Sequence, residues 1–258
     1  MSDSLLRAGT TGPAVEVAGL VKRFGSVEAV RDISFVVPRG SATALLGGNG
    51  AGKTSTLSML LGLLLPTAGT VKVLGEDIAR HRYRVLARMN FTSPYVDLPK
   101  SLTVAENLKV FARLYGVPRM RARIAELVEQ LDLGAFLDRR YGTLSAGQRT
   151  RVSVAKALLN EPEVLLLDEP TASLDPDVGD RVRAQLMDYR HRSGATLLLA
   201  SHNMPEVERM CDDVLMMRAG RIVDSGSPAA LIARYGRRTM EEVFLDVARG
   251  AATPAGPA

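Results

Sequence analysis

Residues 47–56 read GGNGAGKTST, and this stretch decides the fold class of the chain. It contains four glycines and one charged residue, Lys53, which hydroxyl residues follow directly. Glycines allow successive backbone N–H groups to converge on phosphate oxygens, because no Cβ atom intrudes. A helix that begins at the end of the loop adds the partial positive charge of its N-terminus. The stretch therefore predicts a loop that holds phosphate groups.

The residues on either side of the loop supply the structural context that it needs. Residues 41–47, SATALLG, read as a short buried strand, and residues 54–64, TSTLSMLLGLL, continue a helix that starts at about Gly52. The loop matches G-x-x-x-x-G-K-[ST], in which Lys53 reaches the β- and γ-phosphates and Thr54 offers its hydroxyl to Mg²⁺. A glycine-rich turn without a ligand is the alternative, and the strand–loop–helix order argues against it. The predicted nucleotide-binding residues are Gly47, Gly48, Asn49, Gly50, Ala51, Gly52, Lys53, Thr54 and Ser55.

A second element with carboxylates follows at residues 163–177, EVLLLDEPTASLDPD. An apolar strand that ends at Asp168 is where a second Mg²⁺ ligand of a phosphate-loop protein is expected. If the strand persists, Glu169 points the other way, so one carboxylate serves the metal while the other faces an attacking water. The alternative is a polar turn that ends a strand, and the phosphate loop in the same chain argues against it.

Composition limits the class of protein. The 258 residues suffice for one large α/β domain or two small ones, and 46% are hydrophobic and 24% charged, as in globular proteins. Apolar stretches such as MLLGLLLP are far shorter than the roughly 18 residues of a membrane helix. Residues 1–14 lack the apolar segment of a secretory signal. The single cysteine, Cys211, excludes an intrachain disulfide, fits a reducing cytosol and is expected to be a buried structural thiol. The net charge of +5 suits an anionic ligand or membrane surface and specifies neither.

The remaining pattern predicts an α/β protein. Strands are expected at 15–24 and 30–38, and the region from about 77 to 160 reads as helical. Within it, TVAE (103–106) and SAGQ (145–148) are capping boxes at helix starts. Beyond residue 160, strands and helices alternate, which predicts a mostly parallel sheet flanked by helices.

These residues, with LSAGQ at 144–148, resemble the nucleotide-binding subunit of ATP-binding cassette transporters. The resemblance extends from about Val15 to Arg249. Its motifs follow the order of the family: Phe24, the phosphate loop (47–54), the signature (144–148), the Walker-B strand (164–169), SLD (173–175) and His202.

The resemblance implies a P-loop NTPase fold. Its mostly parallel sheet is flanked by helices, and an antiparallel β subdomain lies at the N-terminus. An inserted helical subdomain at about 90–160 carries the signature. The implied single ATPase domain spans 14–249, between disordered tails at 1–13 and 250–258.

The resemblance also implies roles for residues around ATP and Mg²⁺. Phe24 would stack on adenine in place of the commoner tyrosine; packing at the surface is the alternative. Asp168 would support Mg²⁺, and Glu169 would polarise the hydrolytic water. His202 would contact the γ-phosphate, although a histidine after an apolar strand also occurs as a polar cap.

The signature would act on the nucleotide of a second subunit. The residues involved are Leu144, Ser145, Ala146, Gly147 and Gln148. Two ATP molecules would lie between two cassettes in a two-fold head-to-tail dimer, and Asp175 would help link the two sites. Ala146 replaces the usual glycine of the family, and Gly48 replaces a usual proline.

One departure concerns a glutamine that the family places between the phosphate loop and the signature, where it touches Mg²⁺ and the attacking water. Residues 89–104 read MNFTSPYVDLPKSLTV, with Ser93 or Pro94 at that position and no glutamine nearby. We expect the loop still to couple to a partner, while Glu169 and His202 carry more of the water positioning.

The sequence therefore predicts an ATPase subunit at the cytoplasmic face of the cell membrane, which works as a homodimer or pseudo-symmetric dimer on a separate multi-span permease. Residues 239–250, TMEEVFLDVARG, resemble the end helix of export-type cassettes. A soluble cassette acting on ribosomes or DNA is one alternative. Relatives that act in translation carry two cassettes on one chain, and those that act in DNA repair carry a long coiled-coil insertion; this sequence shows neither. Its modest, scattered charge also predicts no nucleic-acid partner. A nucleotide-gated regulator that barely hydrolyses ATP is the other alternative, which the absent glutamine suggests.

Overall fold

The computed structural model describes residues 12–93, 96–171 and 174–250. The strands are β1 (Val15–Phe24), β2 (Val27–Val37), β3 (Ala42–Gly47), β4 (Ala68–Val73), β5 (Glu76–Asp77), β6 (Met89–Thr92), β7 (Val164–Asp168), β8 (Thr196–Ser201), β9 (Asp213–Arg218) and β10 (Arg221–Gly226). The α-helices are α1 (Lys53–Leu60), α2 (Ile78–Leu86), α3 (Val104–Leu114), α4 (Met120–Gln130), α5 (Ala146–Leu158), α6 (Pro176–Ser193), α7 (Met204–Met210), α8 (Pro228–Tyr235) and α9 (Met240–Arg249). Two 3₁₀ turns lie at Gly134–Phe136 and Tyr141–Thr143.

The N-terminal strands form an antiparallel sheet in the order β2-β1-β4-β5. In its main ladder, Val15 pairs with Val37 of β2 on one side and with Val73 of β4 on the other. All three valines are fully buried, because this face of the sheet packs on the core. The antiparallel β subdomain that the sequence predicts is confirmed.

A six-stranded sheet in the order β10-β9-β3-β8-β7-β6 forms the centre of the molecule. Five of its strands run parallel, and only β10 pairs antiparallel to its neighbour. Successive residues of β7 enter two different apolar cores, with Leu165 and Leu167 in one and Val164 and Leu166 in the other. Burial on both faces explains why this strand is a continuous apolar run. The predicted mostly parallel sheet is therefore confirmed.

The order of the strands brings three chain segments to one edge of the sheet. The carboxyl ends of parallel strands meet at the same edge, where ligands of open α/β sheets bind. There Gly47 pairs with Met217, Leu46 pairs with Ser201, and Asp168 pairs with Ala200. The start of the phosphate loop, the carboxylate of β7 and the end of β8 consequently lie side by side.

Helices α3, α4 and α5 pack on one another between β6 and β7 in the chain. Both predicted capping boxes are confirmed. Thr103 and Glu106 exchange side-chain and backbone hydrogen bonds at the start of α3, and Ser145 and Gln148 do so at the start of α5. The two helix starts are thus fixed by local hydrogen bonds.

The helical pattern across 77–160 does not hold throughout, because β6 lies within it and pairs parallel with β7. This strand has only four residues, and buried Asn90 interrupts its apolar character. The Asn90 amide donates to Asn160, which follows the end of α5. Because β7 and Asn160 are both distant from β6 in the sequence, no local sequence pattern predicts this strand.

The predicted tails lie largely outside the described residues; of them, Gly12 and Pro13 precede β1, and Gly250 caps α9 with a left-handed φ of 71°. Among the described residues, no helix combines the length and apolar character needed to cross a membrane. Cys211 is buried, and burial raises the pKa of its thiol to about 12, as expected of a structural thiol.

Candidate nucleotide site

The phosphate loop connects β3 to α1 with its backbone turned toward an open groove. Gly52 has a φ of 105°, and a Cβ atom there would lie 2.6 Å from the Ala29 carbonyl oxygen, so only glycine fits. A Cβ atom on Gly48 or Gly50 would meet no atom within 4 Å. Close packing therefore does not require glycine at these two positions, and the lack of side chains leaves open space beside the loop. Such a loop, followed directly by the first turn of α1, fits a chain of phosphate groups.

The groove beside the loop has a volume of about 490 Å³ and is lined by residues 48–55 together with Val27, Glu28 and Ala29. Phe24 pairs with Val27 in the β1–β2 ladder, and half of its surface is exposed. The Lys22 ammonium lies 5.0 Å from the centre of the Phe24 ring. An exposed ring next to the groove can stack on a planar base.

Lys53 folds back over the loop that precedes it. Its Nζ donates to the carbonyl oxygens of Gly47 at 2.6 Å and Gly48 at 3.2 Å. Burial lowers the pKa of Lys53, while the charges of Glu169 and Asp168 oppose that shift. The ammonium therefore contacts the loop carbonyls and lies close enough to Asp168, at the end of β7, and to Glu169, which follows it, to be influenced by both charges.

Asp168 is the last residue of β7 and is only 4% exposed. Its Oδ2 accepts a hydrogen bond from the Ser93 hydroxyl at 3.2 Å. Burial raises the pKa of Asp168, and the bond from Ser93 opposes this shift. Carboxylate and hydroxyl oxygens suit Mg²⁺, so Asp168 and the exposed Thr54 hydroxyl at the start of α1 fit a magnesium site. Pro94, the other candidate for the glutamine position, lies outside the described residues.

Glu169 and His202 form a close polar pair at the edge of the sheet. The Glu169 Oε1 lies 2.5 Å from His202 Nδ1, and the Glu169 Oε2 is buried with no protein partner among the described residues. The strand ends at Asp168, so the pleat does not set the direction of Glu169 as the sequence suggests. Glu169 instead has a left-handed φ of 47°, and its N–H donates to the Ala200 carbonyl at 2.8 Å. A carboxylate oriented by a histidine, with one free oxygen, can accept a proton from water.

The signature lies at the start of α5. Leu144 is buried, whereas Ser145 and Ala146 are exposed. A Cβ atom on Gly147 would lie 3.5 Å from Leu174, so this helix packs on the segment before α6. Gln148 belongs to the capping box.

Asp175 is exposed at the N-cap of α6, and within the described residues its side chain makes no capping hydrogen bond. Ser173 of the SLD motif lies outside the described residues. Ser145 and Asp175 are thus both open to solvent on the chain.

A cavity of about 150 Å³ separates the signature helix from the carboxylates, and its lining includes Ser93, Asp168 and Glu169 opposite Ala146 and Arg149. The structure therefore brings the glutamine position, the metal-side carboxylate and the candidate base together.

No pattern in the sequence points to Glu206, which is 2% exposed behind His202 and hydrogen bonded to Thr171 and Ser201. The available signal was an acidic residue three positions after Asn203 in a short helix, a spacing that predicts only a helix start. In the structure Asn203 does cap α7, by accepting from the Glu206 N–H at 3.2 Å.

Comparison with known proteins identifies the family. A family model described as "ABC transporter" matches residues 30–172, which is more than half of the chain. The chain belongs to the ABC transporter family. A relative from Ralstonia nicotianae named "Nod factor export ATP-binding protein I" is 40% identical to this ABC protein over 240 residues, covering 91% of the chain and 73% of the relative.

Solved structures agree with this ABC assignment. A structure described as an ATP-binding subunit of an ABC transporter has a TM-score of 0.84 and 26% identity, covering 91% of this chain and 99% of that one. The cbiO1 protein of Clostridium perfringens, described as part of the ABC transporter complex cbiONQ, has a TM-score of 0.77 and 29% identity, covering 87% and 92%. The predicted P-loop fold and the prediction of an ABC ATPase are confirmed.

Proposed function

We propose that this ABC ATPase closes as a dimer around two ATP molecules, drives a separate multi-span permease toward export and resets after hydrolysis. The observation that carries the proposal is the Glu169–His202 pair, 2.5 Å apart beside Asp168 and Lys53 at the phosphate loop. The name of the 40% identical relative supports export as the direction of transport. The work would take place at the cytoplasmic face of the membrane.

The roles of the residues follow from their positions. The loop N–H groups and Lys53 bind the phosphates, while the ring of Phe24 stacks on adenine. Thr54 and Asp168 would hold Mg²⁺, which would supply positive charge to the bound phosphates. Glu169 accepts a proton from the attacking water, and His202 orients Glu169 and faces the γ-phosphate.

Ser93 supports the metal side of the site instead of replacing the glutamine amide. Its short side chain donates to Asp168 at 3.2 Å, which holds that carboxylate in place. Positioning of the attacking water then rests on Glu169 and His202.

The exposed signature supports action across a dimer interface. Ser145 and the N-terminal end of α5 are open to solvent, so they can meet the γ-phosphate of a nucleotide on a second cassette. Asp175 is exposed at the start of α6, where it can link the two sites. The second cassette is either an identical chain or a homologous one.

Substitution of the base tests the chemistry. Glu169→Gln should lower ATP turnover by about 10²–10⁴-fold with ATP binding retained, because the phosphate contacts remain while the proton acceptor is lost. Glu241→Gln, a change at an exposed carboxylate in the first turn of α9, is the matched control and should have the wild-type rate. Equally negligible turnover in wild type and Glu169→Gln would instead support the nucleotide-gated regulator.

Copurification tests the transport assignment. The tagged chain, isolated from gently solubilised membranes, should carry a stoichiometric multi-span membrane protein. Recovery only with ribosomes, with nucleic acid or alone would leave the ATPase chemistry intact and refute the assignment to a permease.

A further inference from the structure

A buried carboxylate behind the site joins the two segments that carry Glu169 and His202. Glu206 lies in the first turn of α7 and is 2% exposed. Its Oε1 accepts from the Thr171 hydroxyl at 2.5 Å, and its Oε2 accepts from the Ser201 hydroxyl at 2.7 Å. Thr171 follows Glu169 by two positions, and Ser201 directly precedes His202.

The environment of Glu206 makes these two hydrogen bonds important. A buried charge is costly unless hydrogen bonds satisfy it, and the described residues place no ion pair on Glu206. The Arg183 guanidinium is linked to Glu206 through Thr171, because it donates to the Thr171 hydroxyl oxygen at 3.3 Å. Both hydroxyls therefore donate to the same carboxylate, and the loss of either hydrogen bond would leave a buried oxygen of Glu206 without that donor.

The backbones of the segments that Glu206 joins are held by the β7–β8 ladder and by the Glu169 N–H bond to the Ala200 carbonyl, but these contacts do not fix the side chains of Glu169 and His202. His202 has 63% of its side chain exposed, and its hydrogen bond within the described structure is to Glu169. Glu169 adopts a left-handed backbone conformation, which persists only where the surroundings enforce it. The Glu206 link, through Thr171 and Ser201, adds a side-chain constraint behind the pair to the backbone bond from Glu169 to Ala200.

We propose that Glu206 is a positioning residue for ATP hydrolysis, which keeps the base Glu169 and His202 at hydrogen-bonding distance. The inference rests on the proposed function, because it concerns the geometry of that reaction. The link also extends to the signature helix, since the Leu174 N–H donates to the Thr171 carbonyl at 3.2 Å and Leu174 faces Gly147.

Steady-state kinetics of Glu206 variants separate positioning from mere support of the fold. Glu206→Leu removes both acceptors and should lower kcat by about tenfold or more while the KM for ATP stays within about twofold, because the phosphate loop is untouched. Glu206→Gln keeps the shape and can bond to both hydroxyls, so it should recover kcat to within about threefold of wild type. Tyr189→Phe is the matched control, since it removes a buried hydrogen bond to the Pro162 carbonyl away from the site and should leave kcat unchanged.

A double-mutant cycle keeps Glu206 in place and decides the matter even if Glu206→Leu fails to fold. Thr171→Val and Ser201→Ala should each lower kcat, and the double variant should match the slower single variant, because either change breaks the same link. If the two single effects multiplied in the double variant, or if both single variants and the double variant had the wild-type kcat, the inference would be overturned. A wild-type rate no higher than that of Glu169→Gln would overturn the proposed function and this inference with it, whereas a normal wild-type rate with unaffected Glu206 variants overturns the inference alone.

Discussion

Lys156→Met should remove a pH dependence of stability that the wild-type chain owes to one buried ammonium. Lys156 lies in α5 and is 8% exposed. Its Nζ donates to the Phe91 carbonyl at 2.7 Å and to Asn90 Oδ1 at 3.3 Å, and no carboxylate among the described residues pairs with it. Burial lowers its pKa from 10.5 to about 8. The charge is therefore tolerated in the fold at a cost in free energy.

The size of the effect follows from that pKa. A lowering from 10.5 to about 8 corresponds to about 3 kcal/mol at roughly 1.4 kcal/mol per pH unit. The unfolded chain holds the proton more tightly, so the full penalty applies below pH 8 and disappears as the pH rises toward 10.5. Between pH 7 and pH 9.5 the wild type should gain about 2 kcal/mol of unfolding free energy relative to Lys156→Met.

Urea denaturation of both proteins at several pH values measures this difference. Groups that titrate in both chains cancel, so the comparison isolates Lys156. At pH 7 the two proteins should have similar stability, because Lys156→Met removes the buried charge but also removes the hydrogen bond to the Phe91 carbonyl, at about 1–3 kcal/mol, while Asn90 Oδ1 keeps its bond from the Phe91 N–H at 2.8 Å. A difference between the proteins that stays constant from pH 7 to pH 9.5 would refute the reasoning.

Four further substitutions test the site. Lys53→Ala should weaken binding of a fluorescent ATP analogue and abolish turnover, and retained turnover would contradict the assignment of the phosphate loop. Gly47→Ala should lower the free energy of unfolding by about 1–3 kcal/mol, because its Cβ would lie 2.6 Å from the Met217 carbonyl oxygen. Gly48→Ala meets open space and should change stability by less than about 0.5 kcal/mol, so equal urea midpoints for the two alanine variants would be inconsistent with the loop geometry. Ser93→Gln should alter ATP turnover, because it removes the hydroxyl bonded to Asp168; unchanged turnover and coupling would show that this position does not affect the chemistry.

Local signals in the sequence predict the parts of the fold that local interactions determine. The strand, glycine loop and helix around Lys53 are contiguous, and both capping boxes close within four residues. Strand β6 escapes prediction because its hydrogen bonds run to β7, more than 70 residues away in the register from Met89 to Val164. Glu206 escapes for the same reason, since Thr171 lies 35 positions from it.

The candidate site shows the same division. Spacing alone places Asp168 and Glu169 at the end of a strand, but the orientation of Glu169 depends on a backbone turn. That turn is stabilised by a bond to Ala200 in the neighbouring strand. Pleat alternation predicts the direction of a side chain only within a regular strand, and the regular strand ends at Asp168, one residue before Glu169.

The left-handed backbone of Glu169 has an evolutionary consequence. A residue other than glycine in that conformation sacrifices roughly 1–2 kcal/mol, so the position works against the stability of the chain that carries it. Selection for a well-folded protein alone would favour glycine or asparagine there. A related chain that did not need the proposed base Glu169 would therefore gain stability by carrying glycine or asparagine at this position.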